Sequence, residues 1–148
     1  MPASLTFYES FREYIADGTF DLNSNTFKVT LHNSTYTPNA GTHSVFTDAT
    51  NQLTTANGYV SGGITLTGVV WTRTGATVKF DANDPVWTAS GGSIVARYAV
   101  ISATGTLNGR ADPLVAFILM DNTPADVATT IGNTLTLQFN ASGILTLS

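Results

Sequence analysis

The chain has 148 residues, 43% of them hydrophobic and only 11% charged, with a formal net charge of −4 and no cysteine. That size and apolar content fit one domain with a self-supporting core, and they exclude a fibre, a disordered tail and a small disulfide scaffold. Six Lys and Arg against ten Asp and Glu leave no basic face for nucleic acid or an anionic membrane, and the longest apolar run, Leu114 to Met120, is strand-sized rather than membrane-spanning.

The N-terminus has neither a basic region nor an apolar run before a cleavage site, so no signal peptide is expected. Thr6 followed by Glu9 fits a capping box, and Phe7, Phe11, Tyr14 and Ile15 fall on one face of a helix predicted over about residues 7 to 16 within segment 1–20. Gly18 would stop it, and Asp17 sits where the helix dipole disfavours a negative charge. From residue 26 the period drops to two. Phe27, Val29 and Leu31 alternate with Lys28, Thr30 and His32, which predicts a strand with one wet face. Residues 34–58 form a long polar loop broken by Pro38, Gly41 and Gly58, with a helical turn expected near 46 to 53. A connection of that length inside one domain is commonly functional.

After Gly62 and Gly63, residues 64 to 73 alternate again and turn at Thr74 and Gly75 into Ala76 to Phe80, a hairpin pattern. Asp81 to Pro85 is a turn, Val86 to Thr88 a short strand, and Ala89 to Ser93 another turn. Ile94 to Ile101 and Leu114 to Met120 are apolar on both faces apart from Arg97 and should be central strands, with Val95, Ala99 and Ile101 buried. Leu135, Leu137 and Phe139 alternate with polar neighbours, and Asn140 to Gly143 turns into a last strand. About eight short strands and no helix suited to a crossover predict an all-β, antiparallel sandwich of jelly-roll or Greek-key type with one short N-terminal helix, forming a single domain over residues 1–148.

No catalytic constellation emerges. His32 and His43 match no metal-pair spacing, and the Asp81, Asn83 and Asp84 turn is explained by local side-chain bonding before Pro85. The serines of Ala89 to Ser93 form no nucleophile elbow. No enzyme activity, cofactor or metal is expected. Trp71 and Trp87 read either as rim residues of the core or as stacking platforms for sugar. Arg97 needs a carboxylate if buried, with Asp84, Asp112 and Asp121 as candidates. The sequons at Asn33 and Asn140 carry little weight without a secretion signal.

Ordinary domains carry about 25% charged residues; here 47 of 148 residues are Thr, Ser or Asn. A surface of hydroxyls and amides has few charges to repel neighbours and is suited to lying against other protein, although a solvated Thr-rich sheet explains it equally. The candidate partner interface is the aromatic stripe Phe7, Phe11 and Tyr14, together with Tyr36, His43 and Phe46 in the long loop; the stripe reads alternatively as a lid on the protein's own core.

The segments FKVTL at 27 to 31, GYVSGG at 58 to 63, DPVWTASGGSIVARYAVI at 84 to 101, DPLVAF at 112 to 117 and FNASGILTL at 139 to 147 resemble a group of small virion structural proteins of tailed bacteriophages. The likeness covers most of the chain after residue 26. It implies a virion component, made in the host cytoplasm and placed on the capsid surface as a cement or decoration protein that binds the major capsid protein lattice. Self-association into a homo-oligomer, dimer or trimer, is expected, without nucleic acid or membrane as a partner. The alternative is a tail- or fibre-associated protein with a carbohydrate-binding sandwich.

Overall fold

A computed structural model describes residues 3–148. In chain order the strands are β1 (Ser4–Phe7), β2 (Phe27–His32), β3 (Ile64–Thr65), β4 (Val70–Thr74), β5 (Thr77–Asp81), β6 (Val86–Thr88), β7 (Ile94–Ala96), β8 (Tyr98–Ala103), β9 (Thr106–Leu107), β10 (Arg110–Ala111), β11 (Leu114–Leu119), β12 (Val127–Thr129), β13 (Thr134–Thr136) and β14 (Leu145–Leu147). One helix, α1 (Glu9–Ala16), follows β1. The central sheet runs β1-β11-β8-β2-β3, and β14-β5-β4, β13-β6 and β12-β7 form smaller sheets. Every pairing is antiparallel. The fold is thus the expected all-β antiparallel sandwich with one helix, and β1, β11, β8 and β2 of the central sheet are joined by long connections rather than by hairpins.

Alternation along the central strands sorts their side chains into two sets. Phe27, Val29 and Leu31 of β2, Ala99, Ile101 and Ala103 of β8, and Ala116 and Ile118 of β11 meet Phe80, Trp87, Leu135 and Leu137 from the smaller sheets in the main core. Helix α1 closes one end of that core. Phe11 stacks on Phe7 at 5.2 Å and meets Phe20 edge-on at 5.2 Å. Tyr14 carries the Arg110 guanidinium over its ring at 4.1 Å, and Arg110 also reaches Asp17 at 3.3 Å.

Several expectations are corrected. The helix starts at Glu9, not residue 7, because Ser4 to Phe7 is extended and pairs with β11. Tyr8 is the N-cap, no side chain caps the helix, and Thr6 therefore forms no capping box. The run 64 to 73 is not one strand: Gly68, at φ +61°, turns the chain between β3 and β4, and a Cβ there would meet the Asn83 side chain at 2.7 Å. The run 94 to 101 also breaks, at Arg97. Arg97 gives its N–H to the His32 carbonyl and its Nε to Asp126 at 2.7 Å, so β7 swings away to pair with β12. Val95 is consequently exposed at 43% rather than buried.

None of the three carboxylates expected for Arg97 forms its ion pair, although the Arg97 charge adds slightly to the Thr123 bonds that hold the Asp121 carboxyl below its ordinary pKa. Asp112 pairs with Lys28, Asp84 accepts the Phe139 N–H, and Asp121 accepts from Thr123. Phe139 itself lies beyond the end of β13. The helical turn expected over 46 to 53 is a single 3₁₀ turn, Phe46–Asp48, whose preceding amides, Ser44 and Val45, both donate to the Asp48 carboxylate.

Candidate interface

The second set of central-sheet side chains does not face water. Thr30, His32, Val100, Ser102 and Leu114 are all 0% exposed, because the loop that follows β2 folds back over them. Leu31 accepts the Leu53 N–H on its carbonyl and donates its own N–H to the Tyr59 hydroxyl oxygen, which ties both ends of the loop's return to β2. His32, expected on a wet face, is therefore a buried residue. Its Nδ1 donates to the Thr50 carbonyl at 2.7 Å and its Nε2 sits 2.9 Å from the Thr30 hydroxyl. Burial holds this imidazole below its ordinary pKa, with the Thr50 bond acting in the opposite direction.

A second anchor lies beside it. The Tyr8 and Tyr36 hydroxyls are 2.7 Å apart, and the Tyr36 hydroxyl is 3.2 Å from His43 Nδ1. Asn39 gives its N–H to the same Nδ1, so that nitrogen accepts. The relay then runs from Tyr8 to Tyr36 to His43, each hydroxyl donating to the next group. Burial, above all, pushes both tyrosine pKa values up, so both hydroxyls keep their protons. Phe46 receives the Lys28 ammonium at 4.6 Å, and Lys28 also pairs with Asp112 at 3.7 Å.

These contacts decide the fate of the expected interface residues. Phe11, Tyr14 and Tyr36 are buried, Phe11 and Tyr14 in the main core and Tyr36 in the loop's attachment. Phe7, His43 and Phe46 are half-buried and also engaged within the chain. The structure does not gather the six into one patch. Phe7, Phe11 and Tyr14 lie on the main-core side of the central sheet, whereas Tyr36, His43 and Phe46 lie on the opposite side.

The surface that remains open is of the hydroxyl-rich kind the composition suggests, although the sequence named aromatic residues and not these threonines as the contact candidates. It is the outer side of the smaller sheets. Thr72, Lys79 and Thr146 line up across β4, β5 and β14; Thr74 stands opposite Thr77, and Val70 opposite Asp81. On the neighbouring pair, Thr88 faces Thr134 and Val86 faces Thr136. Thr72, Thr74, Val86, Thr88, Thr134, Thr136 and Thr146 are all exposed. The two charges within these rows, Lys79 and Asp81, are 3.0 Å apart and cancel one another. Val70 and Val86 add exposed apolar area at 39% and 45%. The period-two pattern of threonine was the available signal, since every second residue of a one-sided strand faces outward.

Other candidates are placed as follows. Trp87 is buried in the main core at 5% exposure and offers no ring face to a sugar. Trp71 is half-buried beside Ile15, Phe20, Asp21 and Leu22, which line a shallow cavity with it. Among the described residues no group of three His, Asp or Glu side chains is arranged to hold a metal ion, and no helix is long and apolar enough to cross a membrane. No family model, curated protein or solved structure matches this chain.

Proposed function

We propose that this chain is a bacteriophage virion structural protein of the capsid cement or decoration type, which binds the assembled major capsid protein lattice from the outside. The reading rests on the likeness of segments 27 to 31, 58 to 63, 84 to 101, 112 to 117 and 139 to 147 to small virion proteins of tailed phages. The observation that carries it in the structure is the outer threonine face, on which the two charges that share the threonine-bearing side of β5, Lys79 and Asp81, pair with each other. A cement protein must lie against a large protein shell without long-range repulsion, and many weak neutral contacts suffice. A molecule that bridges two capsomers makes its second contact at high effective concentration.

The buried second face supports the same reading. With the loop hydrogen-bonded to β2 on both sides of His32, a cement role would have a covered, closely packed sandwich to hold its contacts in fixed relation. The test is direct. Particles lacking the protein are incubated with the purified chain, and bound copies and the temperature of genome release are measured. The native chain should bind at saturation and raise the release temperature; Thr88→Lys, with a neutral Thr134 opposite, should bind poorly while melting like the native chain. Failure of the native chain to bind particles would refute the proposal.

A further inference from the structure

The edge of the central sheet carries a separate inference that does not depend on the capsid reading. Tyr8 gives its N–H to the Val115 carbonyl at 3.1 Å, in register with the β1 and β11 pairing. Because an antiparallel ladder alternates, Ser4, Thr6 and Tyr8 turn their backbone groups toward β11, whereas Ala3, Leu5, Phe7 and Glu9 turn theirs outward. The outward Glu9 N–H is taken by the Ala40 carbonyl at 2.9 Å, which closes the edge beyond that point. Leu5 and Phe7 have no backbone partner among the described residues.

Native edge strands are normally protected by charges, proline or a bulge. Residues 3 to 8, Ala-Ser-Leu-Thr-Phe-Tyr, carry none of these. On the core side of this edge, Leu5 borders a cavity of about 360 Å³ shared with Ile118, Leu137, Phe139 and Ile144. Phe7 borders another of about 260 Å³ shared with Phe11, Ile15, Leu145 and Leu147. The open side of the sandwich thus presents a bare strand flanked by two hollows, the one beside Leu5 of mixed lining that includes Gln138 and Asn140 and the one beside Phe7 mainly apolar.

We propose that this edge binds a second copy of the chain, strand to strand and antiparallel, with Leu5 on the two-fold axis. Two arguments select a second copy. The chain has a net charge of −4, yet residues 3 to 8 are uncharged, so two copies meet here without like-charge contact. The free groups are also self-complementary: with Leu5 opposite Leu5, Phe7 of each copy lies opposite Ala3 of the other, and all outward groups up to the Ala40 block are used. Moving the axis to Thr6 would set Ala3 of one copy opposite Glu9 of the other, where Ala40 already sits. In the proposed register Ser4 of one copy stands beside Thr6 of the other as a non-hydrogen-bonded pair, with Cα atoms about 4.5 Å apart.

The experiment uses the full chain. Sedimentation should show the native protein as a concentration-dependent dimer. Ser4→Lys with Thr6→Lys, both exposed positions, should leave the melting temperature of the monomer unchanged and abolish the dimer; mixing it with Ser4→Glu plus Thr6→Glu should restore one. The chain has no native cysteine, so Ser4→Cys mixed with Thr6→Cys should cross-link under mild oxidation, at a Cα spacing a disulfide can span. Neither cysteine variant alone should cross-link to the same extent. The cysteine pair decides the matter if the charged variants fail to fold. A native chain that stays monomeric, including one whose edge is covered only by a different virion protein, would overturn the proposal. So would a dimer that survives the lysine substitutions, or a cysteine mixture that does not cross-link.

Discussion

The hydroxyl oxygens of Tyr8 and Tyr36 lie 2.7 Å apart across 28 positions of sequence, and both side chains are removed from solvent. Tyr8 belongs to the turn between β1 and α1, and Tyr36 to the loop after β2. One hydrogen bond therefore joins the N-terminal segment to the layer that covers the second face of the central sheet. The Glu9 N–H to Ala40 carbonyl bond, 2.9 Å, runs beside it.

Removing either hydroxyl leaves a buried polar atom without its partner. Tyr8→Phe and Tyr36→Phe should each lower stability by about 1–2 kcal/mol in urea denaturation. The double variant should cost clearly less than the sum of the two singles, because the second substitution removes a group already orphaned by the first. Additive losses would show that the two hydroxyls do not act as a pair.

Stability should fall in mild acid through His32. Its folded-state pKa lies below the ordinary value, so above about pH 6.5 both states are neutral at this site and the contribution is constant. As pH falls through about 6.5 the unfolded chain takes up the proton first, and stability is lost progressively until the folded-state pKa is passed. The melting temperature of the native chain should drop over that window. His32→Gln should be less stable at neutral pH and show a shallower drop.

The break at Arg97 separates two valines that the run 94 to 101 makes look alike. Val100 is 0% exposed and Val95 is 43% exposed. Val100→Asp buries an unpaired carboxylate and should cost about 3 kcal/mol or more, which shows as loss of soluble folded protein. Val95→Asp should change the melting temperature little.

Helix α1 is a lid on the core, so deletion of residues 1 to 17 should melt the sandwich rather than merely expose a contact. The deletion removes Phe11 and Tyr14 from the core, β1 from the central sheet and the Asp17 partner of Arg110. Circular dichroism and thermal melting of the truncated chain check this; a folded truncation would contradict the lid.

The fold class was readable from period-two alternation, from turn residues spaced along the chain and from the lone amphipathic segment near the N-terminus. What could not be read was the use of long-range partners. Lys28, Thr30 and His32 look like a wet face because the pattern shows polarity, whereas the structure satisfies those groups with Asp112, Val100 and Thr50 from distant segments. The Asp126 partner of Arg97 lies 29 positions away, and no local spacing marks it. The helix boundary shifted for the same reason, since pairing with β11 holds Phe7, the first residue of the helical pattern, extended at the end of β1. Of the six expected interface residues, Phe11, Tyr14 and Tyr36 are buried and Phe7, His43 and Phe46 half-buried; the open threonine face is marked in the sequence by its alternation.

The capsid-cement proposal is tested most directly by counting the copies of this chain in purified particles, by quantitative mass spectrometry against the major capsid protein or by reconstruction of the intact particle. The proposal predicts hundreds of copies, in a fixed ratio to the major capsid protein and arrayed on the outer shell. A few to tens of copies, placed on a tail or fibre, would contradict it.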